Sequence, residues 1–200
     1  MLKNLALLYA LIPAAASGQP PGYTPCTDSI ADKPIIGIWL HEGVQTHGAL
    51  AGVRVWTRLE IRADGETVED YFTANPSIGT PTAFSRLFST WTSGEFVDPD
   101  PAKGSFAVMR LAPYLSQVYR PGSASYASVR GGLLPVFRRF ALVRGEEELV
   151  LWGSTVLHMP GSDSVMSYPS GLEMRRFRRE DPRGTLIEQA TWGQVRNRLR

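Results

Sequence analysis

The sequence predicts an all-β fold: an antiparallel up-and-down barrel of about eight strands, closed by hairpins and followed by a short C-terminal helix. Three observations carry this reading. Between Val53 and Asn75 two alternating runs flank Asp64-Gly65, a dipeptide suited to the positive φ of a tight hairpin. A second alternating pair, Val136 to Val143 and Glu148 to Gly153, flanks Arg144-Gly145-Glu146. The remaining apolar runs are separated by turn-rich links, and because most of these read as hairpins a barrel is favoured over a sandwich.

Met1 to Asn4 carries one lysine, and Leu5 to Ala16 is apolar and rich in small residues, the pattern of a signal peptide. Cleavage is expected before Ser17 or Gln19, so residues 1–18 form the leader. The apolar run is too short to span a bilayer, which takes roughly 20 residues. No second run of membrane length follows, so the expected product is secreted or periplasmic and has no transmembrane segment. Cys26 is the only cysteine, which rules out an intramolecular disulfide. Tyr23-Thr24-Pro25 ahead of it differs from the small-residue box that precedes a lipidated cysteine. With 21 basic against 19 acidic residues the chain is close to neutral and gives no reason to expect a nucleic-acid partner. The charge is uneven: Arg175 to Arg200 holds eight arginines and three acids, read as a solvated, salt-bridged edge or a face for an anionic surface.

Residues 19–33, with Pro20-Pro21-Gly22 and Pro25, show no periodicity and read as a flexible tether. The barrel is expected over 34–179. Pro34 to Glu42 is its first strand, and Gly43 to Gly52 reads as a long loop at a barrel mouth. In the first hairpin a two-residue or symmetric four-residue turn sets Leu59 opposite Asp70 and Arg58 opposite Tyr71. The inner face then holds Val55, Thr57, Leu59, Ile61, Val68, Asp70 and Phe72, and only Asp70 breaks its apolar pattern. Ala83 to Trp91 reads as a strand ending in a Thr92-Ser93-Gly94 turn. Ser105 to Ala112 is a further strand whose faces the pattern leaves open, and with them the direction of Arg110. Pro121 to Gly132 reads as a loop. In the second hairpin Phe140 falls opposite Leu151 and Leu142 opposite Leu149, with Arg138 on the same core face. On the reverse, Arg139 meets Trp152 in a cation–π contact. After a polar loop from Met159 to Ser170, Gly171 to Arg178 is the closing strand. In the extension over 180–200, Thr191 and Gln194 fit a capping box ahead of an apolar stripe of Trp192, Val195 and Leu199.

The triplet Gly37-Ile38-Trp39, in the first strand after a leader, resembles the signature of the lipocalin-like up-and-down barrels. The resemblance spans Pro34 to about Arg179 and implies that Gly37 admits a close backbone approach while Trp39 plugs one end. It also implies an arginine of the last strand over that Trp, for which Arg176 and Arg178 are the candidates, and a first long loop acting as a lid.

A barrel of this size either is filled by its own side chains or holds one small ligand. The first functional expectation is a carrier for a small lipophilic molecule, lined by Leu59, Phe72, Phe140 and Leu151. Asp70 and Arg138, with Arg110 as the second arginine, would be the polar anchors for a carboxylate or carbonyl group. The alternative is a solid barrel serving as a structural or envelope-interaction module. An enzyme is less favoured, because no Gly-x-Ser-x-Gly elbow appears and Ser162, Ser164 and Ser170 have no evident base. His41, Glu42 and His47 imitate a zinc-protease motif, but their spacing and their strand-and-loop setting do not fit the helical requirement. His158 is the candidate axial ligand should the barrel bind haem; otherwise no cofactor or metal is expected, and the oligomeric state is not legible.

Overall fold

The computed structural model describes residues 20–27, 33–44, 52–74, 81–119, 127–131, 134–153, 155–158, 165–168 and 174–180. The leader, His47 and the helix expected over 191–200 lie outside these residues. Twelve strands are described: β1 Tyr23–Pro25, β2 Gly37–Val44, β3 Arg54–Ile61, β4 Glu66–Ala74, β5 Pro81–Val97, β6 Ser105–Tyr119, β7 Ala127–Arg130, β8 Val136–Val143, β9 Glu148–Trp152, β10 Thr155–His158, β11 Val165–Tyr168 and β12 Met174–Arg179.

Eight of them close an antiparallel barrel in the order β2, β3, β4, β5, β6, β8, β9 and β12, with β12 pairing back onto β2. Each wall strand thus neighbours the next wall strand along the chain, with β7 inserted between β6 and β8 and the β10–β11 pair between β9 and β12. Closure also removes the unpaired edges that an open sheet would expose. The remaining strands decorate the wall. β1 pairs with the far end of β5 at Gly94 to Phe96, and β7 pairs with the far end of β6. β10 and β11 form a separate two-stranded sheet.

Four segments differ from the sequence reading. Thr92-Ser93-Gly94 is not a turn but runs on inside β5, because β6 pairs with this stretch and carries the ladder on to Val97. The segment read as a tether contains β1, which pairs with β5 from Gly94 to Phe96 and is held by Tyr23, whose ring packs edge-on against Phe137 at 5.0 Å. The loops expected over 121–132 and 159–170 contain β7 and β11 respectively.

The main core fills the barrel half nearest the β3–β4 turn. Trp39, Leu59, Trp91, Met109, Leu149 and Phe177 come from six different wall strands and are each at most 2% exposed. At roughly 1.5–3 kcal/mol for each large apolar side chain removed from water, this cluster is the principal stabilising feature of the fold. Among the described residues no helix is long and apolar enough to cross a membrane, which says nothing about strands.

Candidate functional site in the barrel interior

One end of the interior is closed by Trp39, which is 0% exposed and donates its indole N–H to the Ile35 carbonyl at 2.8 Å. The Arg179 guanidinium lies over the ring, 4.4 Å from its centroid, and donates to the Ile36 carbonyl at 2.9 Å and the Glu146 carbonyl at 3.2 Å. A further bond reaches the Pro34 carbonyl. The arginine over Trp39 is therefore Arg179 and not Arg176 or Arg178. Phe177 decides the parity: it is buried against Leu149, so Arg175 and Arg179 share its inward face while Arg176 and Arg178 turn outward. Gly37 has φ +144°, and a Cβ there would lie 2.9 Å from Arg179 Nη1. Gly37→Val should therefore cost about 1–3 kcal/mol through backbone strain and a displaced guanidinium. Chemical denaturation would read this as a lower midpoint, whereas an unchanged midpoint would mean that the close approach contributes nothing.

The first hairpin turns through three residues, not two or four. Arg62 N–H donates to the Glu66 carbonyl at 2.9 Å and Gly65 N–H to the Arg62 carbonyl at 3.2 Å, with Gly65 at φ +86°. A three-residue turn with a left-handed third residue is the other hairpin geometry that Asp-Gly suits. It moves every partner by one, so Leu59 opposes Glu69 and Arg58 opposes Asp70. The inner face of β4 becomes Thr67, Glu69, Tyr71 and Thr73. Val68, Asp70 and Phe72 fall on the outer face, although each remains at most 6% exposed.

Asp70 is thus not an interior anchor. It receives a two-pronged ion pair from Arg86, Nε to Oδ1 at 2.6 Å and Nη2 to Oδ2 at 3.0 Å. Nearby, Glu60 accepts from Arg62 at 2.8 Å and Arg58 at 3.0 Å. Burial alone would raise the Glu60 carboxyl, but these hydrogen bonds and the two positive charges lower it below the usual glutamate range. A carboxyl held lower in the folded state stabilises the fold above its ordinary range and loses that contribution as pH falls through its folded value. Thermal unfolding followed from neutral pH downward should therefore show a shallower acid decline in Glu60→Gln than in the parent. Parallel acid limbs would show that Glu60 carries no linked stability.

The interior acid is Glu69, and Arg138 is its partner. Arg138 Nη1 donates to the two Glu69 oxygens at 3.1 and 3.4 Å, with side chains 19% and 11% exposed. Their strands are not neighbours in the wall, so the pair spans the interior. A polar row lies on the same inner surface. His41 opposes Thr57, Thr57 opposes Tyr71, and Tyr71 opposes Ser85, across β2, β3, β4 and β5. Arg175 from β12 reaches over the Tyr71 ring at 5.4 Å. His41 Nδ1 lies 2.8 Å from the Arg176 carbonyl, and its ring packs on Phe177. Thr57 is 0% exposed, and its hydroxyl oxygen has no hydrogen-bond partner among the described residues. A buried hydroxyl left without a partner costs roughly 1–3 kcal/mol.

Of the expected lining, Leu59, Phe140 and Leu151 face inward, with Phe140 beside Leu151 on the β8–β9 ladder. Phe72 lies outside the wall. Arg110 also turns outward, since it sits between the core residues Met109 and Leu111 and pairs with Phe137. The structure thus brings Arg138 together with Glu69 and separates it from Asp70 and Arg110. Glu69, Tyr71, Arg175 and Arg179 are interior residues that sequence reading did not assign, whereas Thr57 lies on the inner face as expected. The signal for Glu69 lay in Ala63-Asp64-Gly65, read as a three-residue turn with glycine last. His158 ends β10, opposite Val165. Among the described residues no group of His, Cys, Asp and Glu side chains gathers to hold a metal ion. No protein-family model, curated protein or solved structure matches this chain.

Proposed function

We propose that the protein is an exported, lipocalin-like barrel that binds a small amphipathic molecule in the polar half of its interior, its carboxylate or carbonyl end meeting Thr57 and Arg175. The observation that supports this most is the fully buried Thr57 hydroxyl, without a partner among the described residues, on the rung opposite Tyr71, whose ring lies under the Arg175 guanidinium. Such a hydroxyl can donate to a carboxylate or carbonyl oxygen, and a guanidinium presents a fork matched to the same group. The apolar cluster on the Trp39 side supports the choice of an amphipathic ligand, since a hydrocarbon end would meet Leu59 and Leu151. Export rests on the leader-like residues 1–18 and remains part of the proposal; sequencing the N-terminus of the recovered protein should find Ser17 or Gln19, and an intact Met1 would contradict it.

Binding is tested with a fluorescent long-chain fatty acid on the parent, Thr57→Val and Arg175→Gln, with a fluorescent alcohol of equal chain length as control. Loss of a charged hydrogen bond is worth about 1.5–3 kcal/mol, or roughly 10- to 150-fold in Kd. Arg175→Gln should weaken the acid by that factor and the alcohol far less. Absence of acid binding by the parent, or equal affinity in all three proteins, removes the proposal and leaves the solid barrel.

A further inference from the structure

The barrel wall parts on one side, and the opening holds a pocket that the interior site does not use. β6 and β8 pair only from Val108–Arg139 to Leu111–Val136. The next rung in that register would set Ala107 opposite Phe140, but the ladder stops. From there the start of β6 stays with β5 while β8 continues to Val143 against β9. A pocket of about 640 Å³ occupies the gap, within the roughly 300–1,000 Å³ of small-molecule sites.

Its chemistry is divided. Ile35, Phe140 and Leu142 supply apolar wall from the side of the core. Lys33 and Ser93 supply a polar end. Ser93 is 8% exposed, and Lys33 Nζ donates to its Oγ at 2.7 Å. That bond uses one of the three ammonium protons and an acceptor lone pair of the hydroxyl. With respect to the described residues, two ammonium protons and the Ser93 hydroxyl proton remain to be offered. An apolar recess ending in a cation and a hydroxyl fits one class of ligand, an aliphatic chain ending in an anion that accepts from both. Among the described lining residues the only acid is Glu95, and it is solvent-exposed.

We infer that this lateral pocket is a second binding site for medium-chain carboxylates, independent of the interior, with Lys33 and Ser93 holding the head group. Cys26 lies in the same lining and is exposed, so a single environment-sensitive fluorophore on the only cysteine reports on this pocket. The labelled full-length chain would be titrated with dodecanoate and with dodecanol, as parent, Lys33→Gln, Lys33→Arg, Ala107→Trp and Arg175→Gln. Ala107 is exposed, so the tryptophan fills the gap without entering the core.

The expected result is a saturable response to dodecanoate that weakens about tenfold or more in Lys33→Gln, is largely kept by Lys33→Arg, and is lost in Ala107→Trp. Dodecanol should bind at least tenfold more weakly than dodecanoate in the parent, and Arg175→Gln should leave the response unchanged. No response to dodecanoate overturns the inference, as does equal binding of acid and alcohol. A response lost in Arg175→Gln yet intact in Lys33→Gln would also overturn it, since the ligand would then occupy the interior.

Discussion

Trp39→Ala is expected to lower the unfolding free energy by about 3–5 kcal/mol, a large share of the roughly 5–15 kcal/mol of a typical domain. Trp39 is wholly inaccessible, lies at the meeting point of the main core, and is roofed by Arg179. Its removal leaves a cavity bounded by strands that cannot collapse without breaking ladders, and it deprives the guanidinium of the ring beneath it. The corresponding fall in melting temperature is on the order of 6–20 °C for a domain of this size. Trp39→Phe retains most of the volume but not the indole N–H to Ile35, so it should fall between the parent and the alanine variant. An alanine variant that melts with the parent would show that this end of the barrel is not closed by Trp39.

Glu69→Ala should be the second most damaging change, at about 3 kcal/mol, because it takes away the carboxylate that faces the Arg138 cation inside the wall. Exposure of about a fifth of the Arg138 side chain puts the cost at the lower end of what buried pairs show. Replacing both partners with apolar residues of similar size, Glu69→Leu with Arg138→Met, removes the pair without leaving a charge and should recover most of the loss. The double-mutant cycle then gives a coupling of about 1–3 kcal/mol. If the single and double variants are equally destabilised, the two groups are not paired and the interior is arranged differently.

Parity explains both what the sequence made legible and what it hid. The second hairpin was readable because Phe140, Leu142, Leu149 and Leu151 agree on one register, and the structure pairs them in it. Arg139 follows from that register and stands over Trp152 at 4.7 Å. In the first hairpin, β3 has one clearly apolar face but β4 does not. Val68 and Phe72 look like core, yet they lie on the outer side of the wall and are buried there. Asp64-Gly65 suits a turn of even or odd length, and the odd turn exchanges Asp70 for Glu69 inside the barrel. The closing strand posed the same difficulty, since the arginines at 175, 176, 178 and 179 occur on both faces and only the burial of Phe177 separates them. The strand at Tyr23 was illegible for another reason: three residues carry no period, and their pairing with β5 spans about seventy positions of chain. Thr57 reads as an ordinary β-branched core residue; its lack of a hydrogen-bond partner among the described residues is a property of the assembled barrel.

Backbone amide shifts during titration of the isotope-labelled protein with a long-chain fatty acid test interior binding most directly. The proposed site predicts saturable shifts at Thr57, Glu69 and Tyr71, on the inner face, with a second set near Ser93 that follows Lys33 and not Arg175. Asp70 and Arg86 on the outer face should stay still. Shifts confined to the outer face, or none at all at concentrations that saturate a fluorescent probe, would contradict binding inside the barrel.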